Sequence, residues 1–293
     1  MFLVYKKLMV IVKLMGGLGN QMFQYAVARK LSKNKNVYLD LNFLKQNNKS
    51  DDFFTARSYD LNIFSNLRSS ILPSFISKII CSNSKITRLL KWFLPKKTSK
   101  FTYLDDTNIE TKSTIETNLY LNGYFQNPLL FDEIRDLLLK EFTFPKLSKA
   151  VDQNKNLIKK STNTVSIHIR RGDYLKANIN SFHGLLPIEY YKNATELLNA
   201  KLIDATYFIF SDDPKWCETN FSFIEKKYIV SGNNQAWVDM YLMSQCEHHI
   251  VANSSFSWWG AWLNQNIDKI VIAPKKWFNS EETNIIPKEW ISL

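Results

Sequence analysis

From Thr164 onward the chain alternates short β-branched runs with helical ones, and that alternation leaves few folds open. Thr164 to Ile169 reads as a strand, and Pro187 to Ala200 as a helix with proline near its first turn. Ala205 to Ser211 is a strand, Pro214 opens a helix, and Lys227 to Val230 is the next strand. Ala236 to Ser244 reads as a helix, His249 to Val251 as a short strand, Ser255 to Leu263 as a helix and Lys269 to Ile272 as a strand. Strands separated by helices cannot pair as tight hairpins, so they run parallel, joined by right-handed crossovers. The second half is therefore expected to be a Rossmann-like domain.

The opening repeats the theme. Leu8 to Leu14 is a short apolar strand, Gly16-Gly17-Leu18-Gly19-Asn20 breaks it, Gln21 to Ser32 has helical spacing, and Val37 to Leu41 is a second strand. That is a βαβ unit with a glycine-rich first turn. Leu119 to Gly123 reads as a strand and Pro128 to Glu141 as a helix. Residues 46–116 mix charge, Ser, Asn and isolated aromatics, and read as an insert. Within them Ile76 to Leu94, with Lys78, Lys85, Arg88 and Lys91, fits a basic amphipathic helix. A solvated helix with a core-facing stripe is the first reading of it, and a membrane-surface face the second. Pro145 to Thr164 is polar and reads as a helix turn at most. The boundary is placed there: residues 1–150 form one Rossmann-like domain and residues 151–293 a second.

With 293 residues and 45% hydrophobic content there is material for a sizeable core, which excludes a disordered or fibrous chain. Lys and Arg number 38 against 27 Asp and Glu, a net charge of +11 that draws polyanions without choosing among them. Three widely spaced cysteines, Cys81, Cys217 and Cys246, form neither a disulfide framework nor a zinc site. Leu8 to Met15 is far shorter than the ~20 residues of a spanning helix and carries Lys13. A cytoplasmic protein is expected, with peripheral contact at the inner membrane face as a further expectation.

In an open parallel sheet, ligands bind beyond the carboxyl ends of the strands. Four clusters stand at such ends. Gly16-Gly17-Leu18-Gly19-Asn20 allows close approach of a ligand or a facing domain, but it is no dinucleotide fingerprint and no Walker lysine follows it. His168-Ile169-Arg170-Arg171-Gly172-Asp173 puts His168 and Arg170 on one face of an extended segment and Arg171 on the other. One guanidinium suits phosphate oxygens, while the other can brace the turn against Asp173 or a neighbouring carboxylate. Phe210-Ser211-Asp212-Asp213-Pro214 offers one carboxylate for capping and a second for a ligand. Asn253-Ser254-Ser255-Phe256-Ser257-Trp258-Trp259-Gly260 opens a helix with small polar residues that can cradle a phosphate. Most of its aromatics are read as packing, with one open to a sugar or base. His183 follows the arginine cluster in a loop, and His248 and His249 read as structural.

In this order the clusters resemble glycosyltransferase family 11, the α-1,2-fucosyltransferases. The resemblance rests on Gly16 to Ala26, on His168-Ile-Arg170-Arg171-Gly-Asp173-Tyr174, on Phe210 to Pro214 and on Asn253 to Gly260. Gly123-Tyr124-Phe125-Gln126, His183-Gly184 and Tyr190-Tyr191 are similar to family segments too. The resemblance implies an α/β, GT-B-like fold of two Rossmann-like domains facing across a cleft, with GDP-fucose held mainly by the second. It implies an inverting transfer of L-fucose to the 2-hydroxyl of a galactose, with no divalent metal and no other cofactor. By the same resemblance Arg170 meets the β-phosphate, and Ser254 and Ser255 add donors to it. His168 and one of Asp212 and Asp213, with Asp213 preferred, hold guanine or ribose. Asn20 reaches the donor from the other domain, and Arg171 and Asp173 give support. His183, Asp51 and Asp52 are candidates for the general base. A galactose-terminated, lipid-linked oligosaccharide is the expected acceptor.

Three other readings compete. A nucleic-acid-binding protein would need its basic residues clustered with aromatics on one face, whereas here they are scattered. A nucleotide-sugar-binding module without turnover, and a transferase using another GDP-sugar, share the same motifs.

Overall fold

A computed structural model describes residues 9–33, 35–51, 54–81, 100–110, 117–147, 149–172, 174, 181, 184–230, 234–279 and 283–293. The chain divides into two compact units: Met1–Ser50 with Ala56–Thr143, and Asp51–Thr55 with Phe144–Leu293.

The first unit is a parallel sheet. Its strands are β1 (Val10–Lys13), β2 (Val37–Asp40), β3 (Ser69–Ile71), β4 (Phe101–Leu104) and β5 (Asn118–Leu121), in the order β3-β2-β1-β5-β4. The Val-Ile-Val run of β1 is fully buried, as befits a central strand covered on both faces. Its helices among the described residues are α1 (Leu18–Leu31), α2 (Asn42–Gln46), α3 (Ser74–Cys81) and α4 (Arg135–Glu141). Residues 46–116 are no appended insert, because they supply both edge strands and α3. The stretch expected as one helix from Pro128 is two 3-10 turns, Pro128–Leu130 and Asp132–Ile134, followed by α4. Phe131 breaks it by leaving helical backbone to bury its ring edge-on against Phe23, 5.8 Å away. A buried ion pair, Arg29 Nε to Glu141 Oε1 at 2.8 Å, joins α1 to α4, and Tyr25 donates to the same carboxylate at 2.6 Å.

The second unit is a six-stranded parallel sheet. Its strands are β6 (Thr164–Ile169), β7 (Thr206–Ser211), β8 (Lys227–Val230), β9 (His248–Ile250), β10 (Val271–Ala273) and β11 (Ile291–Ser292). Their order, β8-β7-β6-β9-β10-β11, is the doubly wound one: the first strand sits in the middle and the chain turns back past it between β8 and β9. The helices among the described residues are α5 (Lys149–Lys160), α6 (Ile188–Asn199), α7 (Pro214–Asn220), α8 (Ala236–Gln245) and α9 (Ser255–Leu263). Where a turn at most was expected, α5 is a three-turn helix. Its sequence is polar because little of it is inward: Ile158 is buried while Lys159 and Lys160 are exposed.

Alternation along β6 sets up the site. Val165, Ile167 and Ile169 point into one apolar cluster with Tyr191, Leu198 and Ile209. Ser166 and His168 take the other face, where Ser166 Oγ lies 2.8 Å from His249 Nδ1 and the His168 ring lies 5.5 Å from that of Phe256.

Candidate active site

The strand order puts the switch point of the second sheet between β6 and β9, and a ligand crevice belongs at their carboxyl ends. Arg170-Arg171-Gly172 leaves β6 there, and Asn253-Ser254-Ser255 enters α9 there. The exit of β7, Asp212-Asp213, lies alongside the first of these.

Two ion pairs organise this edge. Arg170 Nη1 meets Asp212 Oδ2 at 2.8 Å, and Arg171 Nε meets Asp213 Oδ2 at 3.3 Å. Asp212 also accepts from the Arg171 backbone N–H at 2.9 Å through Oδ1. Asp213 caps α7 by accepting from the Trp216 N–H at 3.1 Å. The Arg171 guanidinium lies 4.1 Å from the Trp216 ring centroid, a stacked cation–π contact. Arg171 is thus sandwiched between a capping carboxylate and an indole. Arg170 also lies 5.9 Å from the Tyr174 ring centroid. Gly172 is required by close approach: a Cβ there would stand 2.7 Å from Asp212 Oδ2. Both acids are therefore engaged with arginines.

His168 is almost fully buried, and its Nδ1 has no hydrogen-bond partner. Burial first, and the nearby Arg170 second, hold its pKa down at about 3, with Asp212 opposing. The ring is neutral at any physiological pH, and one nitrogen is left to be satisfied. Tyr191 donates to the His168 carbonyl at 3.3 Å and fixes the strand end.

At α9 the Ser254 side chain accepts from the Phe256 N–H at 3.3 Å, as an N-cap does. Ser254, Ser255 and Phe256 are partly exposed, while Trp258 and Trp259 are wholly buried and Trp262 nearly so. The tryptophans are core: Trp258 donates to the Ile285 carbonyl at 2.7 Å and packs on Trp290. Phe256 is the aromatic of this motif left at the site. Asn253 is a clamp, donating to the Gly184 carbonyl at 3.1 Å and to that of Trp277 at 3.4 Å. His183, Asp173 and Asp52 lie outside the described residues. Asp51 accepts from the Phe54 N–H at 2.6 Å and so caps its own turn. Among the described residues no three His, Cys, Asp or Glu side chains gather as a metal site.

Asn20 stands on the first unit. Helix α1 starts at Leu18, three residues earlier than expected, so Gly19 and Asn20 form its first turn. Gly16 adopts φ +72°, and Asn20 Nδ2 lies where a Cβ would project, at 2.3 Å. Asn20 Oδ1 accepts from Gln126 at 2.8 Å. Gln24 accepts from the Met15 N–H at 3.0 Å and donates to the Gly123 carbonyl at 3.2 Å. Gln21 binds the Gly16 and Ser58 carbonyls at 2.8 and 2.7 Å and the Asp60 N–H at 2.9 Å. The glycine-rich turn and the Gly123-Tyr124-Phe125-Gln126 segment are thus sewn together by amides at the carboxyl ends of β1 and β5.

A family model described as Glycosyl transferase family 11 matches residues 3–293. The chain belongs to that family. It is 36% identical to an alpha-1,2-colitosyltransferase of Escherichia coli, over 97% of this chain and 98% of that protein. It is 34% identical to the O-antigen biosynthesis glycosyltransferase WbnK of Escherichia coli, over 96% of this chain and 99% of that protein. Among solved structures, a variant of Arabidopsis thaliana FUT1 in complex with GDP superposes with a TM-score of 0.50 at 13% identity, covering 89% of this chain and 69% of that one. That likeness is one of fold, the GT-B-like α/β class.

One residue of this family-11 chain escaped sequence reasoning. Asp239 sits in the first turn of α8, which follows β8 at the same carboxyl edge. Burial pushes its carboxyl up to about 6, against the pull of a 2.8 Å hydrogen bond from Asn234 Nδ2. The available signal was a lone acid in Ala236-Trp-Val-Asp-Met-Tyr-Leu242, an otherwise apolar helix.

Proposed function

We propose that the chain is an inverting transferase that moves L-fucose from GDP-β-L-fucose to the 2-hydroxyl of a galactose in a glycan acceptor. The observation that carries this reading is Arg170 at the switch point, its guanidinium held by Asp212 beside the N-terminus of α9. In the transfer the acceptor oxygen bonds to the anomeric carbon as the bond from that carbon to the β-phosphate oxygen breaks. The anomeric centre inverts and the hydroxyl proton leaves to a base. Negative charge collects on the departing β-phosphate. A fixed guanidinium and the N–H groups of a helix N-terminus are suited to take it up. Arg170 carries that role, with Ser254 and Ser255 as further donors, and the reading asks for no divalent metal. Arg171 and Asp213, bound to each other and to α7, hold the turn.

The nucleoside half of the donor needs uncharged and acidic partners. His168, neutral with an unpartnered nitrogen, suits ribose or base. The Asp239 carboxylate can accept the two N–H groups on the guanine edge. Asn20 is assigned to the donor sugar. The base that takes the hydroxyl proton is sought among His183, Asp51 and Asp52. The acceptor is assigned as a galactose-terminated oligosaccharide of a lipid-linked glycan.

A second donor is favoured by one observation, the 36% identity to a colitosyltransferase. Colitose is L-fucose without its 3-hydroxyl, so the two donors differ by one polar group. A site built to hydrogen-bond that hydroxyl rejects the deoxy sugar strongly, whereas an apolar one discriminates weakly. The deciding experiment gives the enzyme GDP-fucose and GDP-colitose in competition over a panel of β-galactosides, with product linkage read by NMR. An α-1,2-fucosylated galactoside is the expected product. Preference for colitose would move the donor, and release of GDP from neither donor with any acceptor would sink the transferase reading.

A further inference from the structure

The charge of this chain is not evenly spread. Between Asp60 and Asp105 the sequence has no acidic residue and eight basic ones, Arg68 through Lys100. This stretch, 61–104, holds +8 of the net +11, and the remainder, 30 basic against 27 acidic residues, holds +3. Its described parts are β3, α3 and β4.

Helix α3 has a defined inner face. Ile76 and Ile80 pack with Ile11, Leu72 and Tyr120. Ser77 donates to Asp40, which also accepts from the Tyr120 hydroxyl at 2.7 Å and the Asn42 N–H at 3.0 Å. With Ser77 tied to a buried carboxylate, the rotation of α3 is fixed, and Phe75 and Lys78 are turned outward. Phe75 is 65% exposed, and Ile71, at the end of the edge strand leading into α3, is 52% exposed. Tyr103, 48% exposed, donates to the Ile80 carbonyl at 2.7 Å at the other end of the helix. Lys78 and Lys100 are exposed as well. The core has already used the inward residues, so among the described residues nothing in the packing calls for phenylalanine and isoleucine outside.

We propose that the outward face of α3, with Ile71, Phe75 and Lys78 at its centre, docks on an anionic lipid bilayer surface. Exposed aromatic and aliphatic side chains beside lysines, on a chain segment free of acids, are the composition of an interfacial contact. Each lysine near an anionic surface contributes an attraction that salt screens. A second copy of the chain fits poorly, since it would bring the same exposed Lys78 and Lys100 against this face with no acidic residue between Asp60 and Asp105 to meet them. Nucleic acid would use the charge but leave Ile71 without a partner, because an aliphatic side chain offers bases no stacking face. The inference stands apart from the sugar transferred.

The test uses the full chain and sedimentation with phosphatidylcholine vesicles, with and without phosphatidylglycerol. Binding is expected to the anionic vesicles, to be released by high salt, and to be weak on phosphatidylcholine alone. Phe75→Asp should lower the partition coefficient about tenfold, and Lys78→Ser about fivefold. Both positions are exposed, so the circular dichroism and Tm of the variants should match those of the parent. Absence of binding to anionic vesicles, or binding that Phe75→Asp leaves unchanged, would each overturn the proposal. Displacement of the vesicles by RNA whose own binding ignores Phe75 would hand the surface to nucleic acid.

Discussion

The two parallel sheets end on different chemistry. At the carboxyl edge of the second sheet stand two arginines, two aspartates and a buried neutral histidine. At the carboxyl edge of the first, Asn20, Gln21, Gln24 and Gln126 hold a glycine-rich turn with neutral amides, and Asp40 and Asp106 accept hydrogen bonds from hydroxyl and backbone N–H groups. Charge at a strand end is costly to desolvate unless it meets charge, and on the second edge each arginine meets an aspartate of the neighbouring strand end. Amides give direction without field. They suit a turn whose backbone must be held in place and partners that carry hydroxyls. The same α/β framework thus offers one edge of arginine–aspartate ion pairs and one of hydrogen-bonded amides and carboxylates.

The contrast breaks most readily at Arg170. Arg170→Ala is expected to lower kcat/KM with GDP-fucose by about 10²–10³, the loss seen when one transition-state donor is removed. Steady-state kinetics on a variant with unchanged Tm would show it. A near wild-type rate would take charge at this edge out of the mechanism. Arg170→Lys separates charge from geometry: if the planar fork matters, lysine recovers little of the loss.

Asp212 tests whether the counter-ion positions or competes. It holds the Arg170 guanidinium and the Arg171 N–H at once. Asp212→Asn is expected to cost about 10–100-fold in kcat, as loss of an orienting partner does. Tighter GDP binding with unchanged kcat would instead make Asp212 a rival of the diphosphate for Arg170. Calorimetry with GDP beside kinetics distinguishes the two.

On the first edge the expected loss is stability rather than charge recognition. Gln21 is fully buried and satisfies two carbonyls and one N–H across the turn and residues 58–60. Gln21→Ala should lower unfolding free energy by about 1–3 kcal/mol for the groups left unpaired. Urea titration measures this, and GDP affinity of the folded variant should stay within about twofold of the parent, well under the ~1.4 kcal/mol that makes a tenfold change. A large fall in GDP affinity without loss of stability would erase the division between the edges.

How far each edge was legible in the sequence follows the same physics. Central strands such as Thr164–Ile169 are buried on both faces and announce themselves as β-branched runs. Edge strands do not: Ser69–Ile71 is short, half exposed and serine-rich, and Phe101–Leu104 buries only Leu104 fully. Their region therefore read as an insert. Helix α5 was missed because it buries so little of a lysine-rich surface. The arginine cluster was plain as a motif, but its partners were not. Asp212 and Asp213 come from the neighbouring strand, a register that only the sheet supplies. The start of α7 at Pro214 was legible, but the Arg171 contact with Trp216 also depends on β6 and β7 lying side by side, and no spacing rule gives that.

Asp239 gives the smallest expected effect and the finest test of the charged edge. Its carboxyl titrates near pH 6 because burial disfavours the charged form, while the unfolded chain would release that proton near pH 4. Between those values the folded state holds the extra proton, so this group makes folding less favourable as pH rises from about 4 to 6. Its effect on ligand binding has the opposite sign. If the carboxylate accepts guanine N–H groups, affinity grows as pH rises through 6 and falls by up to tenfold per unit below it. GDP is a poor probe, since its terminal phosphate titrates in the same window, about pH 6. GDP-fucose is a diester of diphosphate and keeps its charge there. His168 does not confuse the reading either, being neutral down to about pH 3. An inflection near pH 6 in GDP-fucose affinity, absent in Asp239→Asn, is the expected result. A flat profile in the parent would remove Asp239 from the nucleotide site and leave the electrostatic edge to the arginines and their partners.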